Sequence, residues 1–178
     1  MVALVSGDPA KLKALRRKYK VPRTYSYEQF ADCLAEGVDA VYIALPNAMH
    51  RAYVEGTARA GVHVLCEKPM AVTEQECEAM MEAAAQNKVK LMVAYRLHFE
   101  RGNLSAIEAV RNGKLGMPRI FNSVFCQQVT AGNTRLQGEM GGGPLSDVGI
   151  YCINAARYLS RRRQIPDKAT EKTIASRR

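Results

Sequence analysis

The chain has 178 residues, 47% of them hydrophobic and 24% charged, which is typical of a globular protein with enough apolar side chains for a core. No apolar run reaches the roughly 18 residues that a membrane span needs, so no membrane contact is expected. The net charge is +9, and residues 161–178 alone contain seven Lys and Arg against two acids. A charge run at a chain end is typical of a solvated tail, so this distribution argues against nucleic-acid binding.

The cysteines and histidines show no metal-ligand spacing. The five cysteines contain no C-x-x-C pair, and their odd number and wide spacing do not suggest a disulfide framework. The three histidines lie far apart in the sequence. We therefore predict free thiols, no metal ion and a reducing compartment. The expected location is therefore the cytoplasm; the alternative is the periplasm, an oxidising compartment, if an N-terminal signal has been lost.

Short apolar runs alternate with helical patterns over the first part of the chain. The predicted strands are residues 2–5, Asp39–Leu45, Val62–Cys66 and Lys90–Tyr95. The predicted helices follow Asp8-Pro9, follow the capping box Ser26–Gln29, span about His50–Ala60, and run from the capping box at Thr73 to about Gln86. The resulting β-α-α-β-α-β-α-β order predicts an α/β fold, a parallel sheet with helices on both faces.

The pattern changes after Tyr95. We predict a helix at about Asn103–Asn112, a longer strand at Arg119–Gln127, a glycine-rich loop at Gly132–Gly143 and a last helix at about Pro144–Leu159. A second domain therefore begins near Leu97.

Three predicted strands end in distinctive polar residues: Asn47, Lys68 and the pair Tyr95-Arg96. Ligands of open parallel sheets bind beyond the carboxyl ends of the strands. Because neighbouring strands lie roughly 4.8 Å apart, three adjacent strands would place these groups within roughly 10 Å in one crevice.

The last helix adds a polar stripe that follows three glycines, Gly141–Gly143. Asp147, Tyr151, Asn154 and Tyr158 recur at helical spacing, so they share one face. An Asp and a Tyr one turn apart can reach the same small molecule.

Several of these motifs resemble one family of proteins in the same order. The chain is similar to glucose–fructose oxidoreductase, inositol dehydrogenase and related sugar dehydrogenases in the L-P-N-x-x-H segment ending at His50, the E-K-P at Pro69, the Y-R at Arg96 and the segment GGGPLSDVGIYCINAARYL from Gly141. The resemblance covers about residues 2–159. It implies an incomplete Rossmann-type parallel sheet at residues 1–96 and the start of an α+β substrate domain at 97–160. Residues 161–178 have no counterpart in the family, and their charge and low apolar content predict a disordered basic tail.

The resemblance also implies an activity, the transfer of a hydride between NAD or NADP and a sugar or polyol. It places Lys68 beside the nicotinamide and the reacting hydroxyl, with Asp147 and Tyr151 facing the substrate. We predict Tyr151 as the acid/base, assisted by Lys68, and Asp147 as the anchor of substrate hydroxyls. The residues predicted to bind the cofactor are Ser6, Gly7, Lys11, Leu45, Pro46, Asn47, His50, Glu67, Lys68 and Arg96.

Each main candidate also has a structural explanation. Lys68 could pair with Glu67 at a strand end, and Asp147 could be an acid favoured in the first turn of a helix. Tyr151 could be a packing residue, His50 a helix cap or a hydrogen-bonding link between elements, and Arg96 a surface charge.

The first strand indicates the choice of cofactor. Enzymes that use NAD place an acid after the second strand of the dinucleotide fold. Here that position has Ser6 and Gly7, with Lys11 one turn into the next helix, and a hydroxyl and an ammonium suit a 2′-phosphate. Asp8 is the competing acid, but it is explained by helix capping. We therefore predict NADP over NAD.

The sequence departs from the family at both ends. No G-x-G-x-x-G loop precedes the first strand, and residues after Ser160 lack the apolar alternation of the sheet that the family forms there. We expect a partial product of a longer gene, whose full-length form is a homo-oligomer. The alternatives are an inactive remnant of such an enzyme and, least favoured, a nucleic-acid binder acting through the basic tail.

Overall fold

The computed structural model describes residues 1–116 and 118–160, so the predicted basic tail at 161–178 lies outside the described residues. The described chain divides into two compact units. Unit 1 consists of Met1–Tyr95 and Val129–Asp147, and the described part of unit 2 consists of Arg96–Gln128 and residues 148–160.

A two-stranded parallel sheet opens unit 1. β1 (Ala3–Val5) pairs with β2 (Arg23–Tyr25), and α1 (Pro9–Tyr19) connects them. Asp8 caps α1 as predicted, because its carboxylate accepts the N–H groups of Ala10 and Lys11. The sequence prediction omitted β2, which is wrong. This strand has only three residues, Arg-Thr-Tyr, so it lacks the apolar run by which the other strands were recognised.

A three-stranded parallel sheet forms the rest of the layer, in the order β3-β4-β5. Its strands are β3 (Ala40–Ile43), β4 (His63–Glu67) and β5 (Leu91–Ala94). The helices of this region are α2 (Phe30–Ala35), α3 (His50–Arg59) and α4 (Glu74–Gln86). The parallel α/β class and the adjacency of the three strands are as predicted.

Apolar side chains from this sheet and its helices form the main core. Ile43 of β3, Cys66 of β4, Val54 of α3 and Met80 of α4 are all buried in one cluster. Thr73 starts α4 with the predicted capping box: its hydroxyl accepts the N–H of Glu76, whose carboxylate accepts the N–H of Thr73. This core fixes the carboxyl ends of β3 and β4.

Unit 2 contains α5 (Arg101–Arg111) and α6 (Ile150–Leu159). A π-helical turn at Leu145–Gly149 leads into α6, so the predicted last helix forms with a wider first turn. The strand predicted at Arg119–Gln127 is wrong, since these residues adopt no regular structure. A strand needs a hydrogen-bonded neighbour, and the described part of the chain offers none there. Ile120 and Val124 are accordingly 83% and 90% exposed.

Two further properties concern the described residues as a set. None of their helices is long and apolar enough to cross a membrane. All five cysteines lie among them and are unpaired thiols.

Candidate functional site

A pocket of about 360 Å³ lies in unit 1, at the carboxyl ends of β3 and β4. Six of the predicted site residues line it: Leu45, Pro46, Asn47, Glu67, Lys68 and Asp147. Other lining residues come from the predicted glycine-rich loop, Gly132–Gly143, in which no site residue was predicted. They are Asn133, Thr134, Arg135, Met140 and Gly142. Strand ends and a single loop therefore enclose the pocket.

Lys68 and Asp147 form an ion pair in this pocket. The Lys68 ammonium donates to Asp147 Oδ1 at 2.9 Å and to the Asp147 backbone oxygen at 2.6 Å. The two side chains are only 13% and 15% exposed, so water screens the pair less than it would screen a surface pair. The ammonium thus has two hydrogen-bond acceptors from one residue.

Glu67 has a different set of partners. One carboxylate oxygen accepts the hydroxyl of Tyr42, and the other accepts the backbone N–H of Lys68 at 3.1 Å. The hydrogen bond to Glu67 raises the pKa of Tyr42 to about 12. This carboxylate is therefore bound by a phenol and an amide, whereas the Lys68 ammonium pairs with Asp147.

Arg135 is a site residue that sequence reasoning missed. Its Nε lies 3.2 Å from Asp147 Oδ2, so Asp147 is shared between two cations. Arg135 belongs to a short 3-10 turn, Thr134–Leu136. In such a turn no spacing rule distinguishes an arginine that contacts a site from one that faces solvent. The E-K-P motif was recognisable because it directly follows a predicted strand. The loop that contains Arg135 has no comparable signal, so the sequence did not mark it as part of a site.

Two glycines bring the loop against the strand ends. The Asn47 side chain donates to the backbone oxygen of Gly141 at 2.8 Å. A Cβ on Gly141 would lie 2.6 Å from a methyl group of Val72 and 2.8 Å from the Cβ of Asn47, and its φ is +75°. A Cβ on Gly142 would lie 2.6 Å from the backbone oxygens of Thr134 and Arg135. Only glycine permits this approach.

His50 is fully buried and links the ends of two strands. Its Nε2 lies 2.9 Å from the backbone oxygen of Leu45, and its Nδ1 lies 2.9 Å from that of Pro69. Both ring nitrogens are therefore occupied by backbone, which favours the structural explanation for this residue. The Lys68–Pro69 peptide bond is cis.

The residues predicted to select NADP lie at the carboxyl end of β1. The Ser6 hydroxyl is half-buried and accepts a long hydrogen bond, 3.3 Å, from the Asp8 N–H. Gly7 faces the ring of Tyr27, where an added Cβ would meet a ring carbon at 2.9 Å. Lys11 is exposed on the first turn of α1. The Asp8 carboxylate is occupied in capping α1.

Tyr151 and Arg96 belong to unit 2. Tyr151 lies in α6, and its ring stacks on Phe125 with the centroids 5.3 Å apart. Arg96 is exposed and begins a short 3-10 turn. The pocket in unit 1 is formed without either residue.

The pocket lining contains both hydrogen-bond donors and acceptors. Lys68, Arg135 and the side chains of Asn133 and Thr134 can donate hydrogen bonds, and Asp147 can accept them. Such a set suits a polyhydroxylated ligand. Among residues 1–116 and 118–160, no three His, Cys, Asp or Glu side chains are grouped as metal ligands.

Comparison with known proteins gives two family matches that together span most of the chain. Residues 1–95 match a model described as an oxidoreductase family with an NAD-binding Rossmann fold. Residues 103–165 match the GFO/IDH/MocA C-terminal domain.

Individual relatives are similar over much of this chain. A D-xylose 1-dehydrogenase [NADP(+)] of Haloarcula marismortui is 35% identical over 88% of this chain and 46% of its own length. A scyllo-inositol 2-dehydrogenase (NADP(+)) of Bacillus subtilis is 37% identical over 72% of this chain and 40% of its own length. The crystal structure of an aldose-aldose oxidoreductase from Caulobacter crescentus, complexed with glycerol, superposes with a TM-score of 0.79 at 43% identity, covering 90% of this chain and 50% of that one. The chain thus spans about half the length of the relatives it matches.

Proposed function

The chain belongs to the GFO/IDH/MocA oxidoreductase family, and from this premise we propose that it is part of an enzyme that transfers a hydride between NADP(H) and a hydroxyl or carbonyl group of a sugar or polyol. The observation that supports this most directly is the Lys68–Asp147 ion pair in a pocket at the strand ends. The names of its relatives, a xylose and an inositol dehydrogenase, support the substrate class.

The proposed domains follow the family. Residues 1–96 are a partial dinucleotide-binding domain, and residues 97–160 begin the substrate domain. Unpaired cysteines support a reducing compartment such as the cytoplasm. We also propose that the full-length form is a homo-oligomer that binds neither nucleic acid nor membrane.

The residues at β1 fit the 2′-phosphate of NADP. The Ser6 hydroxyl and the Lys11 ammonium are a donor and a cation at the carboxyl end of a parallel strand, where ligands of such sheets bind. Asp8, the one acid nearby in sequence, is engaged by the N–H groups of Ala10 and Lys11. Its Oδ1 caps α1, so helix capping explains the acid at this position without a ribose hydroxyl. Two relatives whose names include NADP(+) support the same choice.

The ion pair in the pocket, Lys68 and Asp147, would act on the substrate side of the reaction. NADP, when bound, supplies or accepts the hydride. Lys68 would bind the reacting oxygen through its ammonium, and Asp147 would hold that ammonium and accept hydrogen bonds from substrate hydroxyls. We assign the proton transfer at the reacting oxygen to Tyr151, assisted by Lys68. Leu45, Pro46, Asn47 and Glu67 would line the cofactor, while His50 fixes the strand ends that present them.

Arg96 also forms part of the proposal. It follows the third strand end at Tyr95, and its exposed guanidinium would contact cofactor or substrate.

The test is a thermal melt of the full chain alone, with NADPH and with NADH. A ligand at 100 times its Kd stabilises a folded protein by about 2.7 kcal/mol, so we expect a raised midpoint with NADPH and a smaller shift with NADH. Lys11→Ala should remove the preference for NADPH. Lys13→Ala, an exposed lysine on the same helix, is the matched control and should keep it. Equal shifts with both nucleotides, or none, would contradict the cofactor assignment.

A second measurement tests the activity itself. NADP-dependent oxidation of aldoses and polyols should fall about 100-fold or more in Lys68→Ala and Tyr151→Phe, the range that general acid–base groups contribute. Lys90→Ala, an exposed lysine at the start of the β5 segment, should leave the rate unchanged. Turnover that survives both site substitutions would overturn the assignment of these residues.

A further inference from the structure

The Asp147 carboxylate lies between two cations of unequal exposure. Its Oδ1 accepts the Lys68 ammonium at 2.9 Å, and its Oδ2 lies 3.2 Å from Arg135 Nε. Lys68 is 13% exposed and Arg135 47%. The less exposed cation, Lys68, directly follows β4, and the more exposed one, Arg135, comes from the loop.

The backbone around Arg135 is closely constrained. Its N–H donates to the Asn133 side chain at 3.0 Å, and the Gln137 N–H donates to the Thr134 backbone oxygen at 3.1 Å. The Gly142 N–H donates a hydrogen bond to the Gln137 backbone oxygen at 2.9 Å. A turn closed by three hydrogen bonds holds the base of the arginine side chain in one place.

A carboxylate with one anchored oxygen can still rotate about its own axis, whereas two anchored oxygens define its plane. Arg135 supplies the second anchor. We propose that Arg135 is a positioning residue that fixes the Asp147 carboxylate, and through it the Lys68 ammonium, in the geometry that the reaction uses. The catalytic consequence rests on the proposed function, but the ordering of Lys68 does not.

The first test observes the Lys68 ammonium directly by NMR of the full chain labelled with 15N-lysine. The signal that is absent from the spectrum of Lys68→Arg is assigned to Lys68. An ammonium held by fixed acceptors exchanges its protons slowly and gives a distinct signal. We expect Arg135→Met and the shorter, polar Arg135→Gln to broaden that signal or move it to the position of exposed lysines. Arg135→Lys, which can still reach Asp147, should retain it.

The structure provides a closely matched control. Arg51 is 48% exposed and also uses Nε to contact a carboxylate, that of Glu55 at 2.8 Å. Arg51→Met should leave the Lys68 signal as it is in the parent chain. An unchanged signal in both folded Arg135 variants, or no distinct Lys68 signal in the parent, would overturn the proposal.

The second test is kinetic. Arg135→Met should lower kcat about tenfold, which corresponds to about 1.4 kcal/mol in the barrier, with KM changed less than kcat. Added guanidinium ion should restore part of the loss in Arg135→Met and none in Lys68→Ala. Absence of turnover in the parent chain would count against the proposed function, and the NMR result would then decide the role of Arg135 by itself.

Discussion

At the scale of single residues, the site depends on glycines as much as on charged groups. Gly141 brings the loop against Asn47 and Val72, and Gly142 lets the chain pass over the backbone oxygens of Thr134 and Arg135. The loop could not place Arg135 beside Asp147 if either position had a side chain. The glycines therefore determine which cation reaches the carboxylate.

We predict that Gly141→Ala destabilises the folded chain by about 1–3 kcal/mol. The added methyl group would meet atoms at 2.6 and 2.8 Å, and the φ of +75° disfavours any residue with a Cβ. Urea unfolding followed by circular dichroism measures the loss. Gly138→Ala is the control, because its added Cβ meets nothing within 4 Å. Equal effects of the two substitutions would contradict the close approach.

The sequence located the strand-end residues of the site but not the loop residues. Asn47 and Lys68 follow recognisable strands, so the rule for parallel sheets was enough to bring them together. Arg135 contacts Asp147, 12 positions further along the chain, across a loop that includes a 3-10 turn at Gly138–Met140 and leads into the π-helical turn at Leu145–Gly149. No local pattern encodes that contact, since it depends on how the glycines let the loop fold back.

At the scale of elements, two helix starts were predictable because their chemistry is local. The third, the capping box at Ser26–Gln29, was wrong, since α2 begins at Phe30 without a side-chain cap. Asp8 and Thr73 cap α1 and α4 through hydrogen bonds to residues within three positions. Strands were predictable only when they were apolar and had neighbours. β2 was missed because it has few apolar residues. The strand expected at Arg119–Gln127 does not form, because it has the right residue types but no pairing strand in the described chain.

The capping box of α4 leads to a second prediction. Thr73→Ala should lower the free energy of unfolding by about 1 kcal/mol, because the N–H of Glu76 loses its acceptor. Thr73→Ser keeps the hydroxyl and should cost much less. Thermal melts of the two variants provide the comparison, and an equally large loss in Thr73→Ser would show that the methyl group matters more than the cap.

At the scale of the whole molecule, the two units differ in the number of apolar side chains that they bury. Among the described residues, the buried apolar side chains lie in unit 1, with Val110 of α5 as the exception. The stability measured for this chain should therefore report mainly on the sheet and helices of unit 1. Carboxylates in that unit then determine how stability depends on pH.

Glu55 provides the clearest case. Hydrogen bonding by Arg51, with further attraction from Arg59, lowers the pKa of Glu55 below its ordinary value of 4.5. A carboxyl group with a lower pKa in the folded state stabilises the fold above its unfolded pKa, and this contribution is lost as pH falls through the folded value. The melting temperature should therefore fall as pH drops below about 4.5.

A variant isolates the contribution of this residue. Glu55→Gln should show a lower melting temperature at pH 7 and a shallower decline on acidification, because its side chain has no charge to lose. Thermal melts between neutral and acidic pH make the comparison. Parallel pH curves for Glu55→Gln and the parent chain would mean that other carboxylates produce the acid sensitivity.

The separation of the strands into a pair, β1-β2, and a triplet, β3-β4-β5, leaves each group with outer strands whose far edges have no partner in the described chain. An open edge presents N–H and C=O groups at the spacing of a strand, and it can template the addition of another. We therefore expect the self-association of the protein to depend on its concentration. Dilute samples should remain dispersed, whereas concentrated samples should gel or form fibres by strand addition.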